Sequence, residues 1–224
     1  MGIGTTINRL GCVFSVAVGL VAAAAQEAAA PQTPPCHPPA AAEKAQPAAP
    51  AKATTLSIPD VTVVDQEGRQ LRFYSDLVKG KVVAINFLFT TCTTICPPLS
   101  ATFSTIQGRL GSRAGSEVNL ISVSVDPLND TPARMKEWLA RFRAKPGWTF
   151  VSGEKAEIDK LLRALGAYAS RKEDHTPVVL IGNDATGTWT RAYGIGAAAR
   201  VAGLIEAALG ATPVQQATGG SGSQ

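Results

Sequence analysis

The run Phe87-Leu88-Phe89-Thr90-Thr91-Cys92-Thr93-Thr94-Ile95-Cys96-Pro97-Pro98 changes character midway, and that change sets the fold around it. Upstream, Val82, Val83, Ala84, Ile85, Phe87, Leu88 and Phe89 make residues 81–89 almost wholly apolar, the pattern of a strand covered on both faces and therefore central in its sheet. Downstream, Leu99, Phe103, Ile106 and Leu110 recur at spacings of four, three and four, one apolar stripe of a helix. Pro97 and Pro98 suit a first helical turn, where a missing N–H costs little. The two cysteines thus lie where a buried strand hands over to a helix, the position at which open α/β sheets collect ligands and reactive groups.

Working outward, residues 61–64 and 70–74 read as strands around the turn Asp65-Gln66-Glu67-Gly68, which predicts a hairpin. Residues 120–125 read as a second buried strand. Thr131 and Pro132 mark a helix start, with Asp130 or Thr131 as its cap and Met135, Trp138, Leu139 and Phe142 on one face. A further helix contains Ile158, Leu161, Leu162 and Leu165. Residues 178–181 and 188–193 flank Asn183-Asp184-Ala185-Thr186-Gly187 as strand, turn and strand, before a last helix over about 197–209. Strands separated by helices predict a three-layer α/β fold on a mixed sheet.

The chain has 224 residues, and its composition allows one globular domain. Residues 1–25 contain Arg9 and an apolar run ending in Ala23-Ala24-Ala25, the pattern of a secretory signal or a short N-terminal anchor. The run falls short of the roughly 20 residues of a usual membrane span, which favours cleavage after Ala25. Cys12 stands at the start of that run and reads as a small apolar residue of a discarded segment. Residues 26–55 are rich in Ala and Pro and read as a disordered linker, and 212–224 as a disordered Gly/Ser tail. That leaves a domain at 56–211, roughly 155 residues, enough to bury nearly 70% of its unfolded surface without disulfide staples. The net charge of +4 is spread among acids, so nucleic acid is not an expected partner. The basic stretch 134–145 reads as the wet face of its helix.

A helix N-terminus offers free N–H groups and partial positive charge, which stabilise a thiolate. Cysteines four apart can fall on one side of a helical turn and converge on one soft ion. Three intervening residues distinguish the pair from the Cys-x-x-Cys of disulfide oxidoreductases, yet the same two thiols suit two-electron redox chemistry. His175, in Asp174-His175-Thr176-Pro177, is the sole histidine of the domain. Read alone it is equally an ordinary loop histidine. As a ligand it would complete a Cys2His set suited to copper, whereas structural zinc normally takes four protein ligands. Asp126, at the end of a buried strand near the cysteine edge, is a candidate to tune the site from behind the ligands or to steer a partner. Cys36 and His37 form an adjacent pair in the linker, either incidental, or an auxiliary copper-capture site, or an odd cysteine that pairs between chains.

Three segments in this order, 86–97 around the cysteines, Ser122-Val123-Ser124-Val125-Asp126-Pro127-Leu128-Asn129-Asp130-Thr131-Pro132, and Asp174-His175-Thr176, resemble the Sco/SenC family of copper-delivery proteins over about 57–209. The resemblance implies a thioredoxin-like fold with an N-terminal β-hairpin, and one copper ion, Cu(I) or Cu(II), bound by Cys92, Cys96 and His175. It further implies a metallochaperone for the dinuclear copper site of cytochrome c oxidase. The partner would be the copper-bearing oxidase subunit or another copper-site apoprotein, met in the periplasm by a soluble or inner-membrane-anchored chain. Periplasmic copper donors or thiol reductants are further expected partners. The alternative is a thiol-disulfide reductase in which Cys92 and Cys96 act without metal. Thr176-Pro177 is similar to the cis-proline loop of thioredoxins, a departure from the family that leans toward the redox alternative. A peroxidase fits poorly, since Ile85 and Phe89 stand where peroxiredoxins carry Pro and Thr. A merely structural disulfide would close too short a loop to stabilise much.

Overall fold

Strand β3 (Val82–Leu88) has all seven residues buried, and the sheet grows from it in both directions. On one side it pairs in parallel with β4 (Val118–Ser124), which pairs in parallel with β5 (Trp148–Ser152). Beyond β5, strand β1 (Thr62–Asp65) runs antiparallel, and β2 (Gln70–Arg72) pairs antiparallel with β1. On the other side, β6 (Val178–Asn183) is antiparallel to β3, and β7 (Thr188–Tyr193) is antiparallel to β6. The order is β2-β1-β5-β4-β3-β6-β7, a mixed seven-stranded sheet. The structure is a computed structural model that describes residues 56–194 and 198–210. The segments read as signal, linker and tail lie outside the described residues, as do Cys12, Cys36 and His37.

Side-chain alternation along the strands gives each face its own core. Ala84, Leu88 and Leu120 face α1 (Cys96–Leu110), α2 (Pro132–Arg141) and α4 (Ala198–Gly210), through Leu99, Phe103, Ile106, Met135, Trp138, Val201 and Ile205. Val83, Ile85, Phe87, Ile121 and Val123 face a helical turn at Phe73–Val78 and α3 (Lys155–Ala164), through Phe73, Ile158, Leu161 and Leu162. Each fully buried side chain of this size contributes about 1.5–3 kcal/mol relative to exposure, so the double-sided sheet is the main source of stability.

The structure departs from the sequence reading in three places. Strand β5 is absent from that reading: Trp-Thr-Phe-Val-Ser is too short to display a period, and its placement depends on pairing with β4 and β1. The strand expected over 70–74 stops at Arg72, because Phe73 turns into the core as the first residue of the helical turn. Helix α1 begins only at Cys96, so Cys92 lies in the turn before it and the two cysteines do not share a helical face.

The topology decides where the chemistry can sit. The parallel β3 and β4 end at Leu88 and Ser124, and the antiparallel β6 begins beside them at Val178. The segments 89–95, 125–131 and 171–177, far apart in sequence, therefore emerge from one edge of the sheet.

Candidate metal centre

Leaving β3, the chain is held by a buried carboxylate. Asp130, 2% exposed, accepts the Thr90 N–H at 3.0 Å and the Thr90 hydroxyl at 2.6 Å on Oδ1, and the Ser124 hydroxyl at 2.6 Å on Oδ2. It does not cap α2. Thr131 does, its Oγ1 accepting the N–H of Arg134 at 3.4 Å. Burial pushes the Asp130 carboxyl above the usual range, against the hydroxyl and N–H groups that favour its charge.

With Thr90 fixed, Cys92 N–H closes a turn onto the Phe89 carbonyl at 3.2 Å, and Cys92 Sγ swings over the start of α1. There it accepts the Cys96 N–H at 3.4 Å and lies 3.8 Å from Thr94 Oγ1. Both cysteines are free thiols. Burial alone would raise the Cys92 pKa, but hydrogen bonds from the Cys96 thiol and from the main chain at Cys96 and Thr94 outweigh it, and the thiol is shifted downward. Cys96, with 0% exposure, goes the other way: burial and the donation of its own proton toward Cys92 raise it strongly. The pair is thus asymmetric, a thiolate-leaning outer sulfur and a protonated inner one.

His175 follows a short helical turn, Lys172–Asp174, and is 4% exposed. Its Nδ1 lies 2.6 Å from the Lys172 carbonyl oxygen. A carbonyl only accepts, so Nδ1 carries a hydrogen, and in the neutral form of the ring the lone pair is then on Nε2. Nε2 is buried and has no hydrogen-bond partner. An orphaned buried acceptor costs about 1–3 kcal/mol, which a ligand would offset. The ring packs edge-on to Phe89, with centroids 5.6 Å apart. The Thr176–Pro177 bond is trans, there being no cis peptide among the described residues.

Cys92 and His175 line one cleft of about 380 Å³ with Phe89, Thr94 and Lys172. Cys96 lies beneath Cys92, out of that lining. Among the described residues no three His, Cys, Asp or Glu side chains are gathered into a ready ligand cage. The structure therefore brings two of the three expected ligands to one cavity and the third into hydrogen-bond contact with the first. Asp126, 8% exposed, stands behind this arrangement: its carboxylate accepts Lys172 Nζ at 2.6 Å and Asn129 Nδ2 at 2.9 Å, and its N–H donates to Ser124 Oγ at 3.0 Å. Sequence reasoning missed Lys172, which looks like one of a solvated charge run in Arg171-Lys172-Glu173-Asp174. The same reasoning took Asp130 for a cap candidate, and its burial beside Thr90 had no local signal.

A strand-to-helix dithiol facing a loop imidazole across the edge of a thioredoxin-like sheet defines a class of thiol and soft-metal proteins. The SCO1/SenC family profile matches residues 50–205, and the chain belongs to that family. It is 33% identical over 121 residues to the SCO1 protein homolog of Bacillus subtilis, a match spanning 53% of this chain and 61% of the relative. Among solved structures it resembles Bradyrhizobium japonicum ScoI with copper bound, at 28% identity and a TM-score of 0.56, covering 68% of this chain and 99% of the other. It is also similar to BsSco, a member of the Sco family of cytochrome c oxidase assembly proteins in which a disulfide switch was identified. That match has 27% identity and a TM-score of 0.58, covering 69% and 94% of the two chains.

Proposed function

We propose that this chain is a copper metallochaperone that holds one copper ion through Cys92, Cys96 and His175 and passes it to the dinuclear copper site of cytochrome c oxidase. The observation that carries the reading is the buried, unpartnered Nε2 of His175 on the cleft that Cys92 also lines. Two soft thiolates and a neutral imidazole match copper in either oxidation state, and copper is bound in the similar ScoI structure. Metal entry requires the Cys96 proton to leave and the Cys96 sulfur and the imidazole to close on a common point. Export, with action on the periplasmic side by a soluble or anchored chain, accords with the signal-like residues 1–25; no helix among the described residues is long and apolar enough to cross a membrane.

Titration of the reduced protein with Cu(I) and with Cu(II) tests the proposal. One equivalent should bind tightly, and His175→Ala should lose more Cu(II) affinity than the roughly 10–100-fold that removal of an outer partner costs. Alkylation of Cys92 in that variant should keep its parent rate. Unchanged Cu(II) affinity in His175→Ala would end the three-ligand reading.

One observation favours a second reading, metal-free thiol reduction. The lowered Cys92 and raised Cys96 are the division of labour of an attacking and a resolving thiol. Cys92 thiolate would attack a target disulfide and release one target thiolate, and Cys96 would then displace the second. The electron pair passes to the target and leaves a Cys92–Cys96 disulfide. Oxidase assembly supported fully by His175→Ala, but by neither Cys→Ser variant, would make this the primary activity.

A further inference from the structure

Lys172 lines the cleft and contacts Asp126, Phe89 and His175. Its ammonium donates to Asp126 Oδ2 at 2.6 Å, an ion pair whose acceptor side chain is only 10% exposed. The same Nζ stands 5.2 Å from the centroid of the Phe89 ring, whose edge-on neighbour is His175. Its main-chain carbonyl is the acceptor for His175 Nδ1. No other residue in the segment has this set of contacts: Arg171, Glu173 and Asp174 are exposed and pair loosely with one another at 3.7–3.9 Å.

We propose that Lys172 is the positioning residue of the centre, locking its own carbonyl against His175 Nδ1 so that Nε2 is presented to the metal in the correct tautomer. This rests on the reading of His175 as a ligand and adds the means by which a loop imidazole is held ready. The physical argument is one of leverage. A carbonyl fixes a ring only if its own backbone is fixed, and Lys172–Asp174 is a single helical turn too short to hold itself. The anchor comes from the side chain instead. Asp126 is in turn tied to the sheet end by its N–H to Ser124 Oγ and by Asn129 Nδ2, so the imidazole is referenced to β4 and not to its own loop. Lys172 lines the cleft while its ammonium is held on Asp126.

The test uses the full metal-free chain first. In the parent, nitrogen NMR of the imidazole should show one Nδ1–H tautomer, and the amides of Asp174 and His175, which donate to the Arg171 and Lys172 carbonyls, should be protected from exchange. Lys172→Met keeps the stem but loses the anchor: it should show both tautomers, faster exchange and about tenfold weaker Cu(II) binding at unchanged stoichiometry, with Cys92 alkylation at the parent rate. Asp126→Asn should shift the same readouts, and Lys172→Arg should restore them. A parent-like tautomer, exchange and copper affinity in Lys172→Met would overturn the proposal. Failure of the ligand reading is distinguishable, because His175→Ala would then retain copper while the metal-free tautomer and exchange measurements still report on Lys172.

Discussion

Replacing Asp130 in two ways separates its charge from its hydrogen bonds. The carboxylate accepts three donors, the N–H and hydroxyl of Thr90 and the hydroxyl of Ser124, at 3.0, 2.6 and 2.6 Å. Asp130→Ala strands all three in a site that is 2% exposed. Hydrogen bonds to a charged acceptor contribute about 1.5–3 kcal/mol each, but the two hydroxyls can turn toward other partners, so a loss of about 3–4 kcal/mol is expected. Asp130→Asn keeps an oxygen for Thr90 and offers an amide that the Ser124 hydroxyl can accept from, so its cost at neutral pH should stay within about 1 kcal/mol. The pH dependence gives the sharper discrimination. Burial raises the Asp130 carboxyl above its ordinary value of 3.8, so in the window between the two values the folded protein binds more proton than the unfolded chain. This carboxyl's contribution is therefore largest below 3.8 and declines as pH rises through the raised value. The asparagine variant lacks that decline and should gain on the parent as pH increases across the same window. Urea denaturation of parent and both variants across that acid range, together with Cys92 alkylation rates, measures both effects. If Asp130→Asn were as unstable as Asp130→Ala, or lost ground to the parent with rising pH, the account of Asp130 as a desolvated acceptor would be wrong.

In the reduced, metal-free protein Cys92 should alkylate well before Cys96, with a pH midpoint below that of an ordinary thiol, as followed by mass spectrometry of the two peptides; equal rates would contradict the asymmetry of the pair. Because Cys96 holds its proton strongly, copper loading should release protons and copper affinity should fall as pH is lowered, which a calorimetric titration in buffers of different ionisation enthalpy would detect. Gly182 pairs directly across from Trp189, and a Cβ at Gly182 would run into the indole; Gly182→Ala should destabilise the fold by about 1–3 kcal/mol, and an unchanged denaturation midpoint would refute that packing.

The elements that were legible in the sequence are those whose own residues repeat. β3 announces itself by its almost wholly apolar run, α1 by its apolar stripe, and α2 and α3 by strong one-sided patterns that include Trp138 and Leu162, all of them buried in the fold. β5 was not legible, because five residues between Gly147 and Gly153 have no period and become a strand only through β4 and β1. The site divides in the same way. Cys92, Cys96 and His175 are marked by residue type and by a family resemblance, whereas Lys172 and Asp130 act through partners 46 and 40 positions away in the chain. No local pattern distinguishes such a lysine from a solvated one, or such an aspartate from a helix cap.

What joins the two halves of the centre is the end of β4, which carries neither cysteine nor histidine. From the cysteine side, Thr90 is bonded to Asp130, and Asp130 to Ser124. Toward the histidine side, Ser124 accepts the Asp126 N–H, Asp126 holds Lys172, and the Lys172 carbonyl holds His175. Every link is 3.0 Å or shorter, and Ser124, Asp126 and Asp130 are all buried. Two loops that leave the sheet from antiparallel neighbours would otherwise move independently, and the proposed ligands split between them would have to be ordered by the metal itself. A buried polar chain run through one rigid strand end would remove much of that ordering cost before any ion arrives, while Cys92, itself only 7% exposed, lines the cleft beside His175.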